Sequence, residues 1–170
     1  MNGAPIRIVV TDTNVLVNLM HVSRLDLCGR IPGYEFILPE HVRAEITRQE
    51  QRTAIEVAIS AGILKVQTIT EIPALAVYAE LKERMGKGES ACIAIAESRG
   101  WFIASDERGR FRREAEARVG ARNLLGTPEI FALAIRAGLL TIDQADQDKA
   151  TLELHRFTMS FATFGDFLGS

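Results

Sequence analysis

Short β-branched runs alternate with helix-period patterns along this chain, and that alternation restricts the fold more than any other property of the sequence. Strand candidates at 6–11, 35–38, 64–68, 101–104 and 123–125 are separated by helical patterns at 14–20, 39–49, 53–61, 73–85, 89–99 and 107–119. A crossover of helical length returns the chain in the same direction, so strands spaced in this way form a mainly parallel sheet covered by helices. After Gly126, Thr127 reads as an N-cap with Pro128 at the first helical position, opening a helix to about Ala137 that stops at Gly138. A last helix begins near Thr141. No repeat, low-complexity stretch or linker interrupts the pattern, and 170 residues at 47% hydrophobic content suffice for one core. The expectation is a single domain over residues 1–170, with a helical tail over about 141–170.

Charge narrows the function classes less than it narrows the fold. A formal net charge of -2 does not advertise nucleic-acid binding, so any basic footprint must be local. Two cysteines, Cys28 and Cys92, have neither zinc-site spacing nor the number of a disulfide framework, and both read as core thiols of a reduced, cytoplasmic protein. The apolar run from Ile6 to Val10 is too short for a signal peptide or a membrane span, which predicts a soluble chain with no membrane partner.

Four acids carry the chemistry: Asp12, Glu45, Glu89 and Asp106. In open parallel sheets, ligands bind beyond the carboxyl ends of the strands, and Asp12 and Asp106 each follow a strand candidate. Glu89 shares a helix face with Cys92, Ile93 and Ala96, and Glu45 shares one with His41, Val42 and Ile46. A carboxylate on an apolar face needs a partner, and the candidates for Glu89 are a metal ion or Lys87. An all-oxygen donor set suits Mg²⁺ or Mn²⁺ better than Zn²⁺, and the three histidines, His21, His41 and His155, form no ligand spacing. Each acid also has a purely structural role open to it. Asp12 and Asp106 fit as helix N-caps, Glu89 fits the positive end of a helix dipole, and Glu45 fits a solvated helix face.

The segments IRIVVTDTNVLVNL, FILPEHVRAEI, GKGESACIAIAESRG and FIASDERGRFRREA resemble the PIN-domain ribonuclease family in the identity and order of their acids, over roughly Ile6 to Leu140. The segment NLLGTPEIFALAIRAGLL further resembles the VapC toxins of toxin–antitoxin pairs. The resemblance implies a PIN-like three-layer α/β/α sandwich and Mg²⁺- or Mn²⁺-dependent hydrolysis of RNA. It makes Asp12, Glu45, Glu89 and Asp106 the metal-binding, catalytic acids, with Thr13, Asn14 and Glu107 in support. It also implies a homodimer and an antitoxin protein as partner, and products with a 5′-phosphate and a 3′-hydroxyl. One departure touches the second metal position: where the family often carries a further Asp or Asn, this chain has Arg108, Gly109 and Arg110.

Arg108 and Arg110 are the expected RNA-phosphate contacts, whereas Arg112 and Arg113 are expected to pair with acids along a helix face or to face solvent. Phe157, Phe161, Phe164 and Phe167, at offsets of four, three and three, would line one helical face, which suits either core packing or a dimer or antitoxin contact. Two rival functions fit parts of the pattern. A phosphatase of the haloacid dehalogenase type would use an early strand-end aspartate as nucleophile, but Asn14 stands where its general acid is needed. A non-catalytic RNA-binding PIN module would not need all four acids intact.

Overall fold

The computed structural model describes residues 3–169. The first half of the chain runs β1 (Arg7–Thr11), α1 (Thr13–His21), α2 (Leu27–Arg30), β2 (Tyr34–Pro39), α3 (Glu40–Glu45), α4 (Gln49–Ser60) and β3 (Lys65–Gln67). The second half runs α5 (Ile72–Leu81), α6 (Lys87–Arg99), β4 (Phe102–Ala104), α7 (Gly109–Val119), a 3-10 turn at Ala121–Asn123, β5 (Leu124–Leu125), α8 (Thr127–Arg136), α9 (Ile142–Leu154) and α10 (Phe164–Gly169). All strand pairings are parallel, in the order β3-β2-β1-β4-β5.

That order places the first strand at the centre and reverses direction between β1 and β4. Helices cover both faces of this sheet, α1 with α4, α8 and α9 in one set and α6 with α3, α5 and α7 in the other, which gives the three-layer α/β/α sandwich. The central strands are apolar on both faces, with Val9, Val10, Phe36, Leu38 and Ile103 all buried, as a sheet covered on both sides requires. Helix α6 lies against β1, β2 and β4, and α3, α5 and α7 pack on it. Its run from Ser90 to Ala96 is buried on every side. Helix α1 packs with α4, α8 and α9. One contiguous hydrophobic cluster joins both sets of helices through the sheet.

Several boundaries differ from the sequence expectation for identifiable reasons. The helix expected over 39–49 stops at Glu45, because Ile46 is extended (φ -83, ψ 98) and turns the chain there, and the helix expected over 53–61 begins earlier, at Gln49. The helix expected from 107 begins at Gly109, since Ser105 to Arg108 form a loop whose backbone is tied to side chains. Thr127 is not the cap of α8: Gly126 is, and Thr127 is the first helical residue, its amide and hydroxyl both committed to Asp106. Thr141 does cap α9, through a reciprocal pair of bonds with Gln144 of 3.1 and 3.0 Å.

The phenylalanine stripe is not one helical face. Helix α9 ends at Leu154, and Phe157 and Phe161 lie in the irregular connection before α10. Phe164 is fully buried and stacks on Phe131 at 5.6 Å, while Phe161 and Phe167 surround it at 5.0 and 6.0 Å. Much of the stripe is therefore satisfied within the chain. Among the described residues no helix is long and apolar enough to cross a membrane.

Candidate active site

The reversal of strand order opens a crevice between the carboxyl ends of β1 and β4, and each chain segment leaving those ends delivers an acid to it. Asp12 follows β1 and is buried. Its amide joins the sheet through Ala104 O at 2.9 Å, its Oδ1 accepts from Thr13 N at 2.8 Å, and its Oδ2 accepts from the Ser105 hydroxyl at 3.0 Å. Asp12 is thus both the N-cap of α1 and a carboxylate facing the crevice. Burial pushes its pKa up to about 6; the bonds from Thr13 and Ser105 oppose that rise, and repulsion from Glu89 and Glu45 adds to it.

Glu45 ends α3, and its carboxylate bridges the starts of two other helices. Oε2 accepts from the Thr13 hydroxyl at 2.9 Å and Oε1 from the Gly88 amide at 2.8 Å, so the amino ends of α1 and α6 both point at it. Glycine at 88 lets the carboxylate come this close, because a Cβ there would stand 2.7 Å from Glu45 Cδ and push that side chain away. Glu89 is in the first turn of α6, next to that contact. Burial raises its pKa, followed by repulsion from Glu107 and, more weakly, from Glu45.

Asp106 follows β4 and is the most heavily bonded of the acids. Oδ1 accepts from Thr127 N at 2.7 Å; Oδ2 accepts from the Thr127 hydroxyl at 2.5 Å and from Asn18 Nδ2 at 2.9 Å. It therefore ties the end of β4 to the first turn of α8. Burial still raises its pKa against these bonds, and Glu129 adds to the rise. Gly126 is held to glycine by the same crowding, since a Cβ would lie 2.9 Å from Asp106 Oδ1. Asn14 connects the two acids of the β4 loop: its Oδ1 accepts from Asp106 N at 3.0 Å and its Nδ2 donates to Glu107 at 3.2 Å.

Electrostatically, Asp12, Glu45, Glu89 and Glu107 form one group, whereas Asp106 is influenced by Glu129. No basic side chain enters among the causes of the shifts at Asp12, Glu89 or Asp106. Among the described residues, none of the five carboxylates forms a salt bridge with Lys87 or with any other cation. Nor, among those residues, is any group of three His, Cys, Asp or Glu side chains drawn together tightly enough to hold a metal ion as it stands. Each acid is instead held by backbone, hydroxyl or side-chain amide donors. The donor set nevertheless fits a hard divalent cation: it is all oxygen, partly buried, mutually repelling and uncompensated by protein charge.

Of the residues that hold the acids, Thr13 and Asn14 were named from the sequence, whereas three others were not. Asn18, Ser105 and Thr127 are buried polar residues that position Asp106 and Asp12. Asn18 was legible as a polar residue in the apolar run VLVNL, four residues after Asn14 on the same face of α1. The other two carried no local mark.

Beyond Asp106 the crevice widens into a cleft of about 950 Å³ lined by Asn14, Glu107, Arg108, Arg112, Arg113 and the segment from His155 to Phe161. Arg108 lines this cleft. Arg110 turns away and donates to the Arg84 carbonyl. Arg112 is paired with Glu116 at 2.7 Å, as its helix spacing suggested.

A family model described as the PIN domain matches residues 8–160, so this chain belongs to the PIN-domain family. Members of that family are generally nucleases that use divalent metals, which makes a hydrolase acting on nucleic acid the class to which fold and site point. Among solved structures the chain is similar to the protein PAE2754 from Pyrobaculum aerophilum, at 15% identity over 76% of this chain and 90% of that one, with a TM-score of 0.47. No curated protein matches the chain.

Proposed function

We propose that this chain is a Mg²⁺- or Mn²⁺-dependent endoribonuclease built as one PIN-like unit over residues 1–170. The observation that carries the reading is the set of five carboxylates at the β1/β4 switch point with no counter-cation from the protein. Asp12, Glu45 and Glu89 would hold the cation, with Asp106 entering the same crevice from the end of β4. Bound there, the ion supplies charge to the scissile phosphate and a water of lowered pKa.

The chain's own residues set the rest of the chemistry. Thr13 and Gly88 fix the direction of the Glu45 carboxylate, and Ser105 fixes that of Asp12. Glu107, steadied by Asn14, is our choice for the group that takes the proton of the attacking water. Arg108 neutralises a phosphate next to the cleaved bond. Attack by water leaves a 5′-phosphate and a 3′-hydroxyl. The resemblance of NLLGTPEIFALAIRAGLL to the closing segment of VapC toxins leads us to assign the chain as the cytoplasmic toxin of a toxin–antitoxin pair, acting as a homodimer and restrained by an antitoxin protein.

The test is Mn²⁺-dependent cleavage of a mixed pool of structured and single-stranded RNAs by the parent, Asp12→Asn and Glu89→Gln proteins. Loss of cleavage in both variants with melting temperatures retained supports the reading. Cleavage that persists in both overturns it.

A further inference from the structure

Of the four arginines that line the cleft, Arg112 is paired with Glu116, whereas Arg108, Arg113 and Arg156 take part in no salt bridge among the described residues. Unpaired guanidinium groups beside an acidic crevice, in a chain of net charge -2, are a local basic surface of the kind phosphates bind. Arg156 has a second peculiarity. Helix α9 ends in a Schellman turn: Phe157 N donates to Leu152 O at 3.0 Å and Arg156 N to Glu153 O at 3.1 Å. Arg156 occupies its left-handed position at φ 64, where glycine is the residue best suited. An arginine thus stands in a left-handed position at the cleft, at a cost in backbone strain. That elbow sends Phe157, Thr158, Met159, Ser160 and Phe161 along the cleft wall, with Phe157, Met159 and Phe161 half-buried.

We propose that residues 155–161 form a substrate-positioning element, in which Arg156 holds a phosphate of single-stranded RNA and Phe157 and Phe161 offer apolar surface to its unpaired bases. The proposal rests on the nuclease reading above and adds to it the form of the substrate and the part of the chain that grips it. Guanidinium contacts give affinity without sequence preference, and apolar contact with base faces requires bases free of a duplex. Arg108 and Arg113 line the same cleft as Arg156 and would hold further phosphates of the strand.

The experiment uses the full chain, in EDTA, with a fluorescein-labelled oligouridylate of about a dozen nucleotides and a duplex RNA of the same length. Arg156→Gly should keep or raise the melting temperature, because glycine relieves the left-handed strain. It should weaken oligouridylate binding by about tenfold and flatten the salt dependence of binding by about one released ion. With Mn²⁺ it should raise KM far more than it lowers kcat, and Arg156→Lys should recover part of the affinity. Unchanged binding by a folded Arg156→Gly protein overturns the proposal, as does tighter binding of the duplex. A shift in sedimentation of the variant with unchanged RNA binding would overturn it in favour of a protein contact. Failure of the nuclease reading is seen separately, as cleavage that survives Asp12→Asn.

Discussion

The carboxylate of Glu45 lies against the backbone of Gly88, with Oε1 accepting the amide at 2.8 Å and no room for a side chain at position 88. Helix α3 and the amino end of α6 thereby meet through an acid and a glycine that are distant in sequence.

Gly88→Ala therefore separates site from fold. The clash falls on the far end of a flexible side chain, and alanine favours a helix over glycine by about 1 kcal/mol, so the melting temperature should hold or rise. Glu45 must swing away, and Mn²⁺ affinity measured by calorimetry should fall as far as in Glu45→Gln. Undiminished affinity would remove Glu45 from the site.

Asp12 and Asp106 should behave differently when their charge is removed. Asp12 is repelled by Glu45 and Glu89, and asparagine can still accept from Thr13, so Asp12→Asn should leave stability unchanged or raise it. Asp106 accepts three bonds, and an amide NH₂ would confront Thr127 or Asn18 with a second donor. Asp106→Asn should cost about 1–3 kcal/mol in chemical denaturation. Equal stabilities of the two variants would contradict this division.

The pH dependence follows from burial of Asp12, which raises its pKa from 3.8 to about 6. A carboxyl with a raised pKa contributes stability that is full below its unfolded value and is lost as pH rises through the folded one. The metal-free protein should therefore lose this contribution between pH 3.8 and about 6, a loss absent in Asp12→Asn. Cation binding competes with the same proton, so Mn²⁺ affinity should climb towards pH 6 and level off above it. A flat affinity across that range would show that Asp12 is not a ligand.

Phe164→Ala should destabilise the protein by about 3–5 kcal/mol, because the ring is fully buried against Phe131, Phe161 and Phe167. A loss below about 1 kcal/mol would mean that the tail docks only loosely on the core.

Much of the architecture was legible because period and strand-end position are local signals. Val9, Val10 and Ile103 announce buried parallel strands, and Asp12 announces itself by ending one of them. Thr13 and Asn14 were legible as supports from their place after Asp12, but which acid Asn18 and Thr127 serve was not, because those pairings are long-range. Asn18 reaches Asp106 across 88 positions and Thr127 reaches it across 21, and no spacing rule links such pairs. For the same reason Thr127 read as a cap: the residue looked right for that position, but Asp106 had already claimed its donors. The arginines divided by direction. Composition marks a basic stretch at 108–113, but only the packing of α7 turns Arg110 away from the cleft and leaves Arg113 beside it.

The bond between Asp106 and Thr127 gives this site an uneven vulnerability to mutation. A copy of the gene released from selection for cleavage can exchange Asp12 at no cost to folding, but exchanging Asp106 detaches α8 from the end of β4. Silenced descendants of this chain should accordingly lose their first acid early and retain their last one long after activity is gone, so that a surviving Asp106 records ancestry and an intact Asp12 records use.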